Sequence, residues 1–245
     1  MRYLCTVSYK GTNYQGWQKQ IAAPTIQGEI ERVFSQILNT CINIQGSGRT
    51  DAGVHAQKQY FHFDYDKELV LDKFRYSVNC LLPKDILITD VKVVSDDFHA
   101  RYSAKGKTYT YLIRFGERNA FNFEYEANIP QPVEIDFLIK ALKMFEGKHD
   151  FKDFTSKEED EDNFVREIYS VETTYIEQAK QFFVTFKGNG FMRYMIRNMV
   201  GASIAVASGK EDLSFISYHL SNKEKREIIS YKASPEGLYL VDVNY

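Results

Sequence analysis

Cysteine is scarce and badly spaced for chemistry. Cys5, Cys41 and Cys80 are odd in number and form no CxxC pair, which argues against a disulfide framework and against a thiolate zinc site; they read as buried apolar fillers. His55, His62, His99, His149 and His219 show neither HExxH nor another metal-ligand spacing, so each is expected to serve structure. A basic excess is also missing: the formal net charge of −2 argues against indiscriminate nucleic-acid binding. No apolar run reaches the roughly 18 residues needed to cross a bilayer, and the N-terminus enters an alternating segment without a basic n-region or apolar h-region. The expectation is a cytoplasmic chain with no membrane partner. Gly11 to Gln18, GTNYQGWQ, has two glycines at P-loop spacing but ends in Trp17 and Gln18 where Lys and Ser/Thr are required. Gly188-Asn189-Gly190 lacks the third glycine and the βαβ context of a dinucleotide fold. Redox, metal and nucleoside-triphosphate chemistries are therefore poorly supported, and no cofactor is expected.

What is present is enough for a full core: 245 residues, 44 % hydrophobic and 15 % aromatic. Charge is unevenly placed. Arg101, Lys105, Lys107 and Arg114 lie in an acid-free stretch from His99 to Arg114, and Lys187, Arg193, Arg197 and Lys210 in another from Lys187 to Lys210. Two such stretches suit a phosphate-binding surface. Glu158 to Asp162 form an acidic run that reads as a solvated loop.

Alternation marks a strand over 2–9, and a helix follows Pro24 with Thr25 as N-cap and Ile26, Ile30, Val33, Phe34, Ile37 and Leu38 on one stripe. Strands over 42–47 and 57–64, a helix over 71–80 and a strand over 86–94 complete a β-α-β-β-α-β first half. The second half opens on a strand over 107–115 and a helix over 135–145 ended by Gly147. Strands over 165–177 and 181–187, a helix from Phe191 to about Ala207, a short helical piece over 223–229 and a last strand over 238–243 follow. The fold class is α+β: two ferredoxin-like halves, 1–103 and 104–245, with mostly antiparallel sheets joined around a central catalytic cleft. RNA-binding modules often use such a sheet face.

The segment GSGRTDAGVHA, Gly46 to Ala56, holds the only carboxylate between Glu31 and Asp64, namely Asp51, close behind Arg49. An Asp in a Gly-rich loop ordinarily closes an Asx-turn; here Gly46, Gly48 and Gly53 are expected to allow positive φ and close approach to a ligand. Tyr109 and Tyr111 lie two apart on one strand and share a face, where core packing is the ordinary alternative for either ring. Arg193 and Arg197 stand at i, i+4 on the flank of the helix from Phe191. A solvated pair is the plain reading, but neither has an acid nearby in sequence, and a cleft carboxylate or an RNA phosphate would satisfy them.

Taken together these segments resemble the tRNA pseudouridine synthase A family. The resemblance runs from Tyr9–Gln18 through GSGRTDAGVHA, FHARYSAKGKTYTY at 98–111, His149-Asp150-Phe151 and GNGFMRYMIRNMVG at 188–201 to SPEGLYL at 234–240. It implies the two-half α+β fold and isomerisation of uridine to pseudouridine at positions 38 to 40 of the tRNA anticodon arm by a cofactor-free homodimer. It also implies that Asp51 is the catalytic aspartate, Tyr109 the base-contacting tyrosine, and Arg49 and Arg197 the active-site arginines. The basic residues Arg193, Arg101 and Lys107 are the further candidates for substrate contact.

The chemistry fits. Pseudouridylation cleaves N1–C1′, turns the uracil and rejoins it through C5, with no change of oxidation state, no hydrolysis and no phosphoryl transfer. A carboxylate suits attack on an electron-deficient anomeric carbon or, alternatively, addition to C6 of the base. An adjacent arginine keeps such a carboxylate ionised, and a tyrosine can stack on a base taken out of its helix. Two other classes stay open: a catalytically silent RNA-binding module on the same fold, and a glycosidase, which needs a second acid that the local sequence does not supply.

Overall fold

The computed structural model describes residues 1–156, 163–221 and 225–245, so the acidic run 158–162 lies outside the described residues. The chain divides into a first unit, Met1–Lys105 with Tyr239–Tyr245, and a second, Gly106–Leu238. Each is a mostly antiparallel sheet with helices, the expected α+β class.

In the first unit β1 (Arg2–Tyr9) lies between β3 (His55–Asp64) and β4 (Ile86–Val94), antiparallel to both. The short β2 (Gln45–Gly46) adds to β3; the strand expected over 42–47 is reduced to these two residues. β1 is buried almost end to end, as a central strand must be. Helix α1 (Ile26–Leu38) opens as expected on Thr25, whose hydroxyl accepts from Gly28 N at 3.2 Å, and closes on Asn39 in the left-handed region. Its Phe34 meets Phe63 and, on α2 (Leu71–Leu81), Phe74 edge-on at 5.2 and 5.0 Å. Cys5 is buried as expected, but Cys41 and Cys80 are exposed: one follows the α1 cap and the other sits on the outer face of α2, where no core is available to fill.

In the second unit β5 (Gly106–Phe115) pairs antiparallel with β9 (Gln181–Gly188), β9 with β8 (Val165–Ile176), and β8 with β7 (Gly147–Asp150); β6 (Ala127–Ile129) adds in parallel to β5. β6 and β7 are too short to show a periodicity in sequence. Helices α3 (Ile135–Lys143) and α4 (Met195–Ala207) complete the core, and every residue of α4 is buried. A helix α5 (Leu213–Leu220), capped by Asp212, takes the place of the piece expected over 223–229; residues 225–229 are not helical, and 222–224 lie outside the described residues. The last strand, β10 (Leu238–Asn244), belongs from Tyr239 onward to the first unit, where it pairs in parallel with β3 through Tyr239–His55 and Leu240–Ala56. No helix of the described residues is long and apolar enough to cross a membrane.

Candidate active site

Asp51 stands half-buried between the exposed Arg49 and a buried Thr50, in a loop bolted to the first unit by its backbone. The bolts come from the segment 9–18. The hydroxyls of Tyr9 and Thr50 are 2.8 Å apart, Trp17 N donates to Thr50 O at 3.1 Å, and Gly53 N to Tyr14 O at 3.3 Å. Gly11 N donates to His55 Nδ1 at 3.0 Å, which assigns that histidine an acceptor nitrogen and a structural role.

Glycine is demanded where this segment touches the loop. A Cβ on Gly11 would lie 2.0 Å from Val54 O, and one on Gly16, itself at φ +88°, 2.6 Å from Thr50 O. Within the loop only Gly53, at φ +78°, has the positive φ expected of three glycines; Gly46 and Gly48 do not. Gly46 is required for another reason, since a Cβ there would sit 2.7 Å from Trp17 Nε1. GTNYQGWQ, which fails as a nucleotide loop, is thus the seat of the Asp51 loop. Its paired glycines were the available sign, but sequence cannot say which backbone they approach. Arg101, also in this unit, is exposed on a turn in which its own N and that of Tyr102 donate to His99 Nδ1 at 3.1 and 3.4 Å.

In the second unit Tyr109 and Tyr111 do share the buried face of β5. Tyr109 is 7 % exposed and meets Phe191 edge-on at 5.2 Å, whereas Tyr111 is fully buried and its hydroxyl donates to Ser234 O at 2.7 Å. Burial raises the Tyr111 phenol well above its ordinary pKa. Lys107 lies on the same strand, partly buried and opposite Gly188. A Cβ on Gly188 would meet Glu167 O at 2.8 Å and the Phe191 ring at 3.2 Å, so this glycine seats the ring that Tyr109 touches.

Arg197 does not follow the plain reading of a solvated pair. It is 8 % exposed, its Nε donates to Ala233 O at 2.8 Å, and its own carbonyl accepts from Ala233 N at 2.9 Å. Arg193 is not on the helix at all. α4 begins at Met195, because Tyr194 before it holds φ +63° and breaks the helical path. Arg193 and Arg197, on opposite sides of that break, nevertheless both reach the Tyr194 ring, with guanidinium carbons 4.8 and 5.4 Å from its centre. Among the described residues no group of three or more His, Cys, Asp or Glu could hold a metal ion.

Comparison with known proteins decides the family. The model of the family described as "tRNA pseudouridine synthase" matches residues 6–103 and 141–245, which include the Asp51 loop and α4. The chain belongs to the tRNA pseudouridine synthase family. It is similar to tRNA pseudouridine synthase A of Geobacillus sp. (strain WCH70), 41 % identical over 246 aligned positions that cover 100 % of this chain and 98 % of the relative. The proteins of the same name from Streptococcus uberis and Streptococcus pneumoniae (strain P1031) are 36 % and 34 % identical over the same shares. Among solved structures it resembles one described as a Cbf5-Nop10-Gar1 complex, with a TM-score of 0.41 and 15 % identity over 97 % of this chain and 57 % of that one. A pseudouridine synthase is an isomerase, and the chain is an enzyme of that class.

Proposed function

We propose that this pseudouridine synthase acts on uridines in the anticodon arm of tRNA, as a homodimer in the cytoplasm, with Asp51 as the nucleophile. The observation that carries the reading is the seating of the Asp51 loop. A chain that needs glycine at two positions outside the loop, 11 and 16, to hold one carboxylate half-open has fixed that carboxylate for a purpose beyond a turn. The uracil must leave its stack to be reached, and Asp51 then attacks C1′ or C6. By the first route the Asp51–C1′ bond forms as N1–C1′ breaks, the base turns, and C5 displaces Asp51 from C1′. By the second Asp51 adds to C6, N1–C1′ breaks, the base turns, C5–C1′ forms and the Asp51–C6 bond is then broken. In both the C5 proton is lost, N1 takes one up and Asp51 is regenerated. Oxidation state does not change, so the reaction calls for no redox partner.

Arg49 and Arg197 are the cations that stabilise the charge developing on the base. Tyr109 supplies a phenol and a ring for the flipped base, with Phe191 packed edge-to-face against it. Arg101 and Lys107 take the phosphate backbone.

The test is release of tritium from tRNA labelled at uracil C5, followed by mapping of the product. Release with pseudouridine in the anticodon arm is expected. No release from any unmodified tRNA would favour a silent RNA-binding protein, and pseudouridine confined to another arm would overturn the assigned site.

A further inference from the structure

At the head of α4 three cations converge on one ring. Besides the guanidinium carbons of Arg193 and Arg197, Lys232 Nζ lies 4.4 Å from the centre of the Tyr194 ring, and Arg193 Nη2 donates to the Tyr194 hydroxyl at 3.0 Å. The ring reaches this place only because Tyr194 holds φ +63°. Among the described residues the other non-glycine residues with positive φ are Asn39 and Lys180, which close a helix and a tight turn, where that conformation is ordinary. A tyrosine opening a buried helix there is strained, and such strain gathers at functional sites.

The cations stand on fixed backbone. Arg193 O accepts from Thr155 Oγ1 at 3.0 Å, and the segment carrying Lys232 is strapped to α4 by the paired bonds between Ala233 and Arg197. It lies so close that a Cβ on Gly201 would meet Lys232 N and Tyr231 O at 2.9 Å. A ring quadrupole attracts a cation but contributes no negative charge. Arg193 and Lys232, both exposed, form no ion pair with any described residue.

We propose that Arg193 and Lys232, gathered by Tyr194, form a subsite for a backbone phosphate of the RNA substrate, Tyr194 being the positioning residue that also backs Arg197. This rests on the functional reading above. Arg and Lys on a rigid aromatic support suit a diffuse phosphodiester charge, and RNA is the polyanion that a pseudouridine synthase must hold.

The experiment measures binding of an unmodified tRNA transcript by fluorescence anisotropy over a range of salt, together with tritium release. Arg193→Gln/Lys232→Gln should raise Kd and KM about tenfold and make the slope of log K against log salt shallower by about 1.5, at ~0.7–0.9 per charge removed. kcat at saturation should stay within about twofold, since a phosphate contact shared by ground and transition states acts on KM. Tyr194→Phe keeps the ring but loses the hydroxyl that accepts from Arg193, and should weaken binding only about two- to threefold, whereas Tyr194→Asn keeps the left-handed backbone without a ring and should weaken binding like the double variant. An unchanged salt slope in the double variant, or wild-type binding by a folded Tyr194→Asn, would overturn the subsite while leaving the functional reading intact. Absence of release by wild type would instead be a failure of that functional reading.

Discussion

In the first unit Asp51 is held by main chain pressed on main chain: Gly11 against Val54 and Gly16 against Thr50, with no room for a methyl group at either contact. In the second, the Arg197 guanidinium is held by side-chain contacts that include the Ala233 carbonyl and the face of Tyr194. The first arrangement fixes a position sterically and fails when any side chain is added. The second fixes a charge by a few polar contacts, each of which can be lost separately at modest cost. A nucleophile that must meet one carbon gains from the rigid mount, because small displacements of a reacting group are expensive. A guanidinium that supplies field and hydrogen bonds tolerates the softer one.

The largest effect sharpens what the rigid mount is for. Asp51→Asn should lower kcat for tritium release by roughly 10³-fold or more with the melting temperature unchanged, because the nucleophile is removed and the loop is not. Undiminished release would remove Asp51 from the chemistry. Next in size, Gly11→Ala keeps Asp51 but drives a methyl into Val54 O, 2.0 Å away, so the loop must shift. Expected is a loss of about 10²-fold in kcat and about 1–3 kcal/mol in stability by urea denaturation. An active Gly11→Ala enzyme would show that the glycine seat does not set the position of Asp51.

The sequence made the loop itself legible, since one carboxylate among glycines is a local pattern. It also gave most long elements, because α1, β1, β4, β5, β8 and β9 carry clear periodicity or caps. What it missed depends on contacts between distant segments. Gly46 was expected to need positive φ, yet its constraint is Trp17, almost thirty residues earlier in the chain. α4 starts later than the helical pattern implies, because Met192 and Arg193 continue that pattern and nothing local announces a left-handed Tyr194. The sequence of α4 shows one apolar stripe with Arg197 on its flank, whereas α4 is buried all round. The partner of β10 is likewise a matter of tertiary pairing, which alternation cannot encode.

A smaller effect probes the first unit by pH. His62 is 3 % exposed, accepts from Ala100 N at 3.1 Å and thereby anchors the turn that carries Arg101. Burial first, then the charges of Arg2 and His99, pull its pKa down to about 4, against a weaker opposing pull from Asp64. The unfolded chain therefore takes up this proton first as pH falls. The stabilisation is complete above about 6.5 and is lost progressively between there and about 4, by on the order of 2–3 kcal/mol. His62→Asn retains an acceptor but does not titrate, so its denaturation midpoint should fall less over this interval. Parallel pH profiles for the two proteins would remove His62 as the cause.

The smallest effect tests whether the second mount is as soft as its contacts suggest. Tyr111→Phe deletes the buried hydroxyl that donates to Ser234 O, next to the Ala233 carbonyl holding Arg197. The lost bond should cost about 1 kcal/mol of stability. Since Ala233 remains tied to Arg197 through both its N and its O, the guanidinium should move little and kcat should fall no more than a few-fold. Urea denaturation and single-turnover tritium release measure the two quantities on one preparation. A collapse of kcat comparable to that of Gly11→Ala would mean that Arg197 is held as rigidly as Asp51, and that the contrast between a steric mount and a polar one does not describe how this enzyme places its charges.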